Sequence, residues 1–224
     1  MLDHWQSGKP TLIDIFMEDF DPDTLDAGYF FRSLEGMPDI EKQALDLCFG
    51  KVLDCGAGAG AHALELQRRG LDVLPIDVSE GAVQVMKTRG LMNAQHKNVF
   101  DLEGNYDSLL FLMNGIGMAG DLQGLGRLLL HCRRLLNPGG QILLDSSDMV
   151  YLYDDEIHED LDQYYGELKY NLKYKDQESG IFKWLYIDVD SLAGIARDQG
   201  YALDIVMRGH HYDYLAQLKL LDEI

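Results

Sequence analysis

The amino-acid sequence predicts an α/β fold: a doubly wound, mostly parallel sheet of seven strands with an antiparallel closing strand, an N-terminal helical cap and an inserted β-hairpin. Three observations carry that prediction. Short apolar runs alternate with segments of helical periodicity between residues 38 and 147, the mark of strand–helix–strand units around a parallel sheet. The run "KVLDC", starting at Lys51, leads straight into "GAGAG", a bare backbone at the tip of a strand. Beyond residue 150 the apolar period changes to two, as antiparallel pairing requires.

Taken in order, the acidic and aromatic stretch "IFMEDFDPDTLDAGYFFRSLEGMP" reads as short helices capping a site. A helix from about Ile40 to Phe49 follows, with Asp39 as N-cap after Pro38 and Gly50 as its stop. "KVLDC" is a buried strand, and the glycine stretch opens a helix from about Ala59 to Arg69 that Gly70 ends. "DVLPID" is the second strand, and Ser79 caps a helix ended by Gly90. "HKNVFD" gives a short edge strand and "DSLLFLMN" a clear one. Leu122, Leu125, Leu128, Leu129, Cys132, Leu135 and Leu136 recur at helical spacing over residues 121–136. "NPGG" breaks that helix, and "QILLDSS" is a further strand. "ELKYNLKYK" and "IFKWLYI" flank the turn "DQESG" as a hairpin with Phe182, Trp184 and Tyr186 on one face. A helix from about Ser191 to Gln199 and the strands "YALDIVMRG" and "YLAQLKL" close the chain.

Composition narrows the function. The 224 residues are enough for one core without disulfide or metal staples. Lys and Arg number 19 against 38 Asp and Glu, a net charge of −19, which repels phosphate backbones and argues against a nucleic-acid partner. Cys48, Cys55 and Cys132 lack CxxC spacing, so reduced thiols are expected, and no metal site. No apolar run approaches the ~20 residues that span a bilayer, and "MLDHWQSGKP" has no signal core. The expectation is a cytoplasmic protein without a membrane partner.

Gly56, Gly58 and Gly60 let a ligand approach the backbone where parallel sheets bind ligands, beyond the carboxyl ends of their strands. Gly56, Gly58 and Ala61 also satisfy G-x-G-x-x-G/A, with Asp77 about twenty residues further on, as a dinucleotide fingerprint would. Asp54 separates the two readings. A pyrophosphate docked on the following helix would lie near that carboxylate and be repelled. S-adenosyl-L-methionine has no phosphate and carries an ammonium and a sulfonium, which an aspartate suits.

Here the chain resembles the class I S-adenosylmethionine-dependent methyltransferases, over about residues 38–150 and more loosely in the closing strands. "VLDCGAGAG" looks like their first motif, "YDSLLFLMNGIG" like their fourth, and "LLNPGGQILLD" like the segment before their fifth strand. The resemblance implies a Rossmann-like sheet and S-adenosyl-L-methionine as cofactor. It places Asp54, Gly56, Ala57, Gly58 and Gly60 at the methionine end, Asp77 on the ribose hydroxyls, Val78 against adenine and Asn114 beside the methionine moiety. The position of the adenine-amino acceptor falls on Asn98, with Val99 as the adjoining amide and Asp101 as rival. Tyr29 or Arg32, in "YFFR", would reach the cofactor carboxylate. Asn114 is followed by Gly115, not the Pro-Pro-aromatic run of methylases acting on nucleic-acid amino groups, and "NGIGMAG" leaves room for a small-molecule substrate.

His62, His210 and His211 are candidate bases, none with metal-ligand spacing, and no catalytic residue is assigned. "DDEIHEDLDQYY" could draw a substrate amine, and the aromatic hairpin is expected to wall the substrate pocket or to meet the second copy of a homodimer. Residues 1–224 read as one methyltransferase domain: a cap over 1–37, a cofactor-binding core over 38–147, a hairpin insertion over 148–187 and closing elements over 188–224. The leading expectation is methyl transfer to a small molecule. The alternatives are an NAD-dependent oxidoreductase on a similar fold and a non-catalytic, methyltransferase-like scaffold.

Overall fold

A computed structural model of the protein describes residues 1–18, 20–153 and 163–221. The chain opens with a short helix, α1 (Leu2–Ser7), ended by Gly8 in the left-handed conformation. Two strands follow, β1 (Leu12–Met17) and β2 (Asp23–Asp26), and then 3-10 turns at Ala27–Phe31 and Leu34–Gly36. The helical cap is thus only partly helical. "LIDIFM" shows no strict alternation of apolar and polar residues, and the partner that makes it a strand, apart from β2, lies in the distant hairpin. Local propensity yields to that tertiary pairing.

The core then runs α2 (Asp39–Leu47), β3 (Lys51–Cys55), α3 (Ala61–Arg68), β4 (Asp72–Asp77), α4 (Glu80–Thr88), β5 (Gln95–His96), β6 (Tyr106–Phe111), α5 (Leu122–Cys132) and β7 (Leu136–Ser147). The Ser79 hydroxyl accepts from the Ala82 amide and the Asp121 carboxylate from the Gly124 amide, so each satisfies an otherwise unpaired donor at a helix start. The hairpin forms β8 (Glu167–Tyr174), β9 (Gln177–Glu178) and β10 (Phe182–Leu185). The chain ends in α6 (Val189–Asp198), β11 (Tyr201–Arg208) and β12 (Asp213–Leu220).

Seven strands pair in the order β11-β12-β7-β6-β3-β4-β5. β3 to β7 are parallel, and β12 closes the sheet antiparallel to β7. Neighbouring residues on one strand enter different cores. Leu53, Leu109 and Ile142 join one apolar cluster; Val52, Leu110 and Leu143 join another. That period of two, apolar on both faces, is what a sheet covered by helices on each side requires.

The chain steps outward from β3 to β4 and β5, then crosses back to lay β6 on the other edge of β3. This reversal opens a crevice beyond the carboxyl ends of β3 and β6. A second sheet, in the order β10-β8-β1-β2 with β9 paired to β8, supplies one wall of the cavity at these strand ends. β10 seats on the 3-10 turn Gly115–Ala119, where a side chain at Gly117 would collide with the Trp184 indole.

Gly60 tests the glycine turn. Its φ is +80°, and an added Cβ would lie 2.5 Å from Leu91 Cδ1. Gly60→Ala is expected to destabilise the fold by about 1–3 kcal/mol, measured by urea unfolding.

Candidate functional site

The site begins where β3 runs out. Gly56, Gly58 and Gly60 all take positive φ, at 71°, 57° and 80°, a region other residues enter only with strain. The turn is pinned to β4 through the Ala57 amide on the Ile76 carbonyl (2.9 Å) and the Gly58 amide on Asp77 Oδ2 (2.9 Å). Gly56 and Gly60 face neighbouring side chains closely, whereas a Cβ on Gly58 would meet nothing nearer than Met1 Sδ at 3.8 Å. Gly58 therefore keeps the turn open toward the crevice.

Asp54 lies beneath this turn, 2% exposed, and its Oδ2 has no hydrogen-bond partner. Burial pushes its carboxyl up to about 6; His62 pulls the other way, and Asp77 adds to the rise. A desolvated carboxylate without a cation is costly, so it favours a positively charged visitor.

Beside it lies a cluster of charge. Glu41 on α2 is buried, accepting from Arg32 Nη2 on both oxygens and lying 2.7 Å from His62 Nε2. Arg32 also donates to the Tyr29 carbonyl (2.8 Å) and sits 4.2 Å above the Tyr29 ring. Burial alone would raise Glu41, but the His62 and Arg32 contacts outweigh it and hold the carboxyl below its usual range.

β6 ends in strain. Met113 and Asn114 take φ of 59° and 52°, unusual for residues with side chains. Asn114 is buried and locked: its Nδ2 donates to the Leu185 carbonyl (3.1 Å), its Oδ1 accepts from Ser146 Oγ (2.8 Å), and its amide points at both oxygens of Asp145 (3.2 Å each). One residue thus ties β6 to β7 and β10.

These elements enclose a cavity of about 370 Å³. Asp54, Gly56, Ala57, Gly58 and His62 form one side; Ile15, Tyr170, Phe182, Trp184 and Tyr186 face them from the second sheet. The volume falls within the usual range of small-molecule sites. Among the described residues no group of three His, Cys, Asp or Glu could hold a metal, and no helix is long and apolar enough to cross a membrane.

Of the residues singled out in the sequence, Asp54, Gly56, Ala57 and Gly58 line the cavity, and Gly60 packs behind it. Asn114 lies between the lining residues Met113 and Gly115. Asp77 braces the glycine turn and also accepts from the Ser79 amide, while Val78 is 66% exposed beside it. Asn98 is exposed and accepts from the Phe100 amide (3.1 Å). Val99 is buried, its carbonyl 2.9 Å from His131 Nε2, and Asp101 is exposed. Tyr29 is half-exposed, and Arg32 is engaged by Glu41. His210 and His211 are exposed in the β11–β12 turn. The acidic stretch at 154–162 lies outside the described residues. Sequence reasoning missed Ile15, Leu25 and Phe30 on the wall, and also Glu41 and Asp145. Nothing in "DIEKQALDL" sets Glu41 apart from a solvated helical glutamate; its burial comes from Arg32 and His62.

Glu41→Gln is expected to cost about 3–5 kcal/mol at neutral pH, because it strands a buried guanidinium. The depressed Glu41 carboxyl contributes stability that is present at neutral pH and lost as acid protonates it. The difference between wild type and variant, measured by chemical denaturation, should therefore shrink as the pH falls through and below the ordinary glutamate range.

Comparison with known proteins agrees with this geometry. Residues 52–140 match the family model of a methyltransferase domain. Over 121 residues the chain is 30% identical to a ubiquinone biosynthesis O-methyltransferase of Acinetobacter baumannii, covering 48% of this chain and 48% of that protein. The chain spans about half the length of the curated relatives it matches. The sugar N-methyltransferase KedS8 of Streptoalloteichus shares the fold, with a TM-score of 0.60 and 14% identity over 82% of this chain and 86% of that one. A S-adenosylmethionine-dependent methyltransferase of Bacteroides fragilis, solved in complex with S-adenosyl-L-homocysteine, superposes with a TM-score of 0.92 and 40% identity, covering 98% of this chain and 92% of that one. On that identity over almost its whole length, the chain belongs to the S-adenosylmethionine-dependent methyltransferase family.

Proposed function

We propose that the protein binds S-adenosyl-L-methionine on the glycine-turn side of the cavity and methylates a small molecule held against the aromatic wall. The carrying observation is the buried, unpartnered Oδ2 of Asp54, a carboxylate in need of a cation beside an open glycine turn. The cofactor's ammonium meets that need. A dinucleotide does not: a pyrophosphate needs free amides, and the Ala57, Gly58 and Gly60 amides already bond to protein acceptors.

In this reading Asp54 and the segment Gly56–Gly60 hold the methionine end, with Asn114 fixing the backbone beside it. Asp77, held by the Gly58 and Ser79 amides, presents its remaining lone pairs to the ribose, with Val78, Asn98 and Val99 toward the adenine. Arg32 and Tyr29 act from behind the cavity, Arg32 by fixing Glu41 and hence His62.

The bound cofactor supplies an activated methyl group on a good leaving group. What the chain adds is alignment and exclusion of water, and positioning alone can lower a barrier by roughly 7–11 kcal/mol. Residues 1–224 act as one unit here, because β1 and β2 complete the sheet that walls the cavity. The charge of −19 supports a small-molecule partner over a nucleic acid, and the three free cysteines suit the cytoplasm.

Thermal shift tests the cofactor. S-adenosyl-L-homocysteine at about 100 times its dissociation constant should add roughly 2.7 kcal/mol of stability, and NAD none; a shift with NAD alone would refute the proposal. Asp77→Ala should weaken S-adenosyl-L-homocysteine binding about tenfold or more by calorimetry, and unchanged affinity would show that the ribose lies elsewhere.

A further inference from the structure

The glycine side of the cavity holds an acid and a base that do not meet. Asp54 and His62 both line it. The start of α3 brings them side by side: the Ala63 amide, next in the chain to His62, hydrogen-bonds the Asp54 carboxylate and leaves Asp54 Oδ2 without a partner. Among the described ion pairs His62 meets Glu41 instead, its Nε2 lying 2.7 Å from Glu41 Oε2.

That contact fixes the imidazole. An ionised carboxylate only accepts hydrogen bonds, so Nε2 carries the hydrogen shared with Glu41. Nδ1 has no partner among the described residues and is the ring nitrogen free for a ligand. Arg32 holds both oxygens of Glu41 and neutralises it. A proton on Nδ1 therefore gives the Arg32–Glu41–His62 cluster one positive charge that only an added anion would match. Arg32 itself is buried and is not among the lining residues. None of the described residues that line the cavity is Lys or Arg, so His62 is the side chain there that can carry a positive charge. The charged groups facing its ring are Glu41 from α2, Arg32 from the segment before it, Asp54 from β3 and Asp145 at the end of β7.

We propose that His62 binds the carboxylate of the cofactor through Nδ1 while Asp54 binds its ammonium. An α-amino acid carries both charges on one carbon, and Asp54 and His62 offer the opposite pair on one side of the cavity. This deepens the cofactor reading above and rests on it. Arg32 becomes a positioning residue: it holds Glu41, and Glu41 holds the ring. A nucleoside without the amino-acid end leaves both buried groups unmatched, which is costly.

Calorimetry tests this with S-adenosyl-L-homocysteine and its decarboxylated analogue, which keeps the ammonium, the thioether and the nucleoside. Wild type should bind the complete molecule at least about tenfold tighter. His62→Gln keeps an amide to meet Glu41 and removes the nitrogen at Nδ1. It should erase that preference by weakening S-adenosyl-L-homocysteine alone, with the analogue's affinity and the circular dichroism spectrum as in wild type. Nitrogen NMR of the wild-type imidazole rings gives a second readout should the variant not fold: S-adenosyl-L-homocysteine should protonate Nδ1 of one histidine and the analogue should not. Equal affinities in wild type, a preference that survives in His62→Gln, an equal loss of both ligands in a folded variant, or no ring protonation on binding overturns the inference. So does a His62→Gln that binds S-adenosyl-L-homocysteine normally but loses turnover, which would assign the ring to the substrate. Failure of S-adenosyl-L-homocysteine to bind wild type would overturn the cofactor reading and this inference together; binding without a carboxylate preference overturns this inference alone.

Discussion

The turn from β3 into α3 must bend through three left-handed positions in the gap that the strand crossover leaves beside β6, and the site is built around that bend. Only glycine enters such backbone freely, and here the positions serve different ends. Gly60 makes room for Leu91, Gly56 sits against Met118, and Gly58 stays open. The Gly58 amide on Asp77 clamps the bend to β4, so the turn and the acidic tip of the second strand form one rigid edge. Asp54, buried under that edge, keeps one oxygen without a hydrogen-bond partner and lines the crevice.

Around this edge the protein holds buried charge in two different ways. Glu41, Arg32 and His62 satisfy one another, which fixes the first turn of α3 and keeps the guanidinium out of the cavity. Asp54 and Asp145 form no ion pair among the described residues. Between them, Met113 and Asn114 sit in strained backbone, held there by Ser146 and the Leu185 carbonyl. Strain of this kind persists only where surrounding bonds over-determine it, and the lock on Asn114 does so.

Most of the parallel sheet could be read from the chain because its signals are local. "VLD" followed by spaced glycines, Ser79 before a helix, and the leucine stripe of α5 each announce their structure within a few residues. The glycine side of the cavity was legible for the same reason. The opposite wall was only half visible. The alternation of Phe182, Trp184 and Tyr186 gave the hairpin, but β1 is a strand because it pairs with Leu172 and its neighbours on one edge and with β2 on the other. No window of sequence around Ile15 contains that information. Glu41 and Asp145 were invisible for a related reason: each matters through what burial and long-range neighbours do to its charge, not through the residues beside it.

The second sheet joins strands from near both ends of the chain, and this has a bearing on how such proteins diverge. Ile15, Tyr170, Trp184 and Tyr186 all fall outside the stretch 52–140 that the methyltransferase model recognises. The two faces of the cavity are therefore encoded by separable segments. A match confined to the middle of the sequence therefore speaks for the glycine face and says little about what the aromatic face accepts.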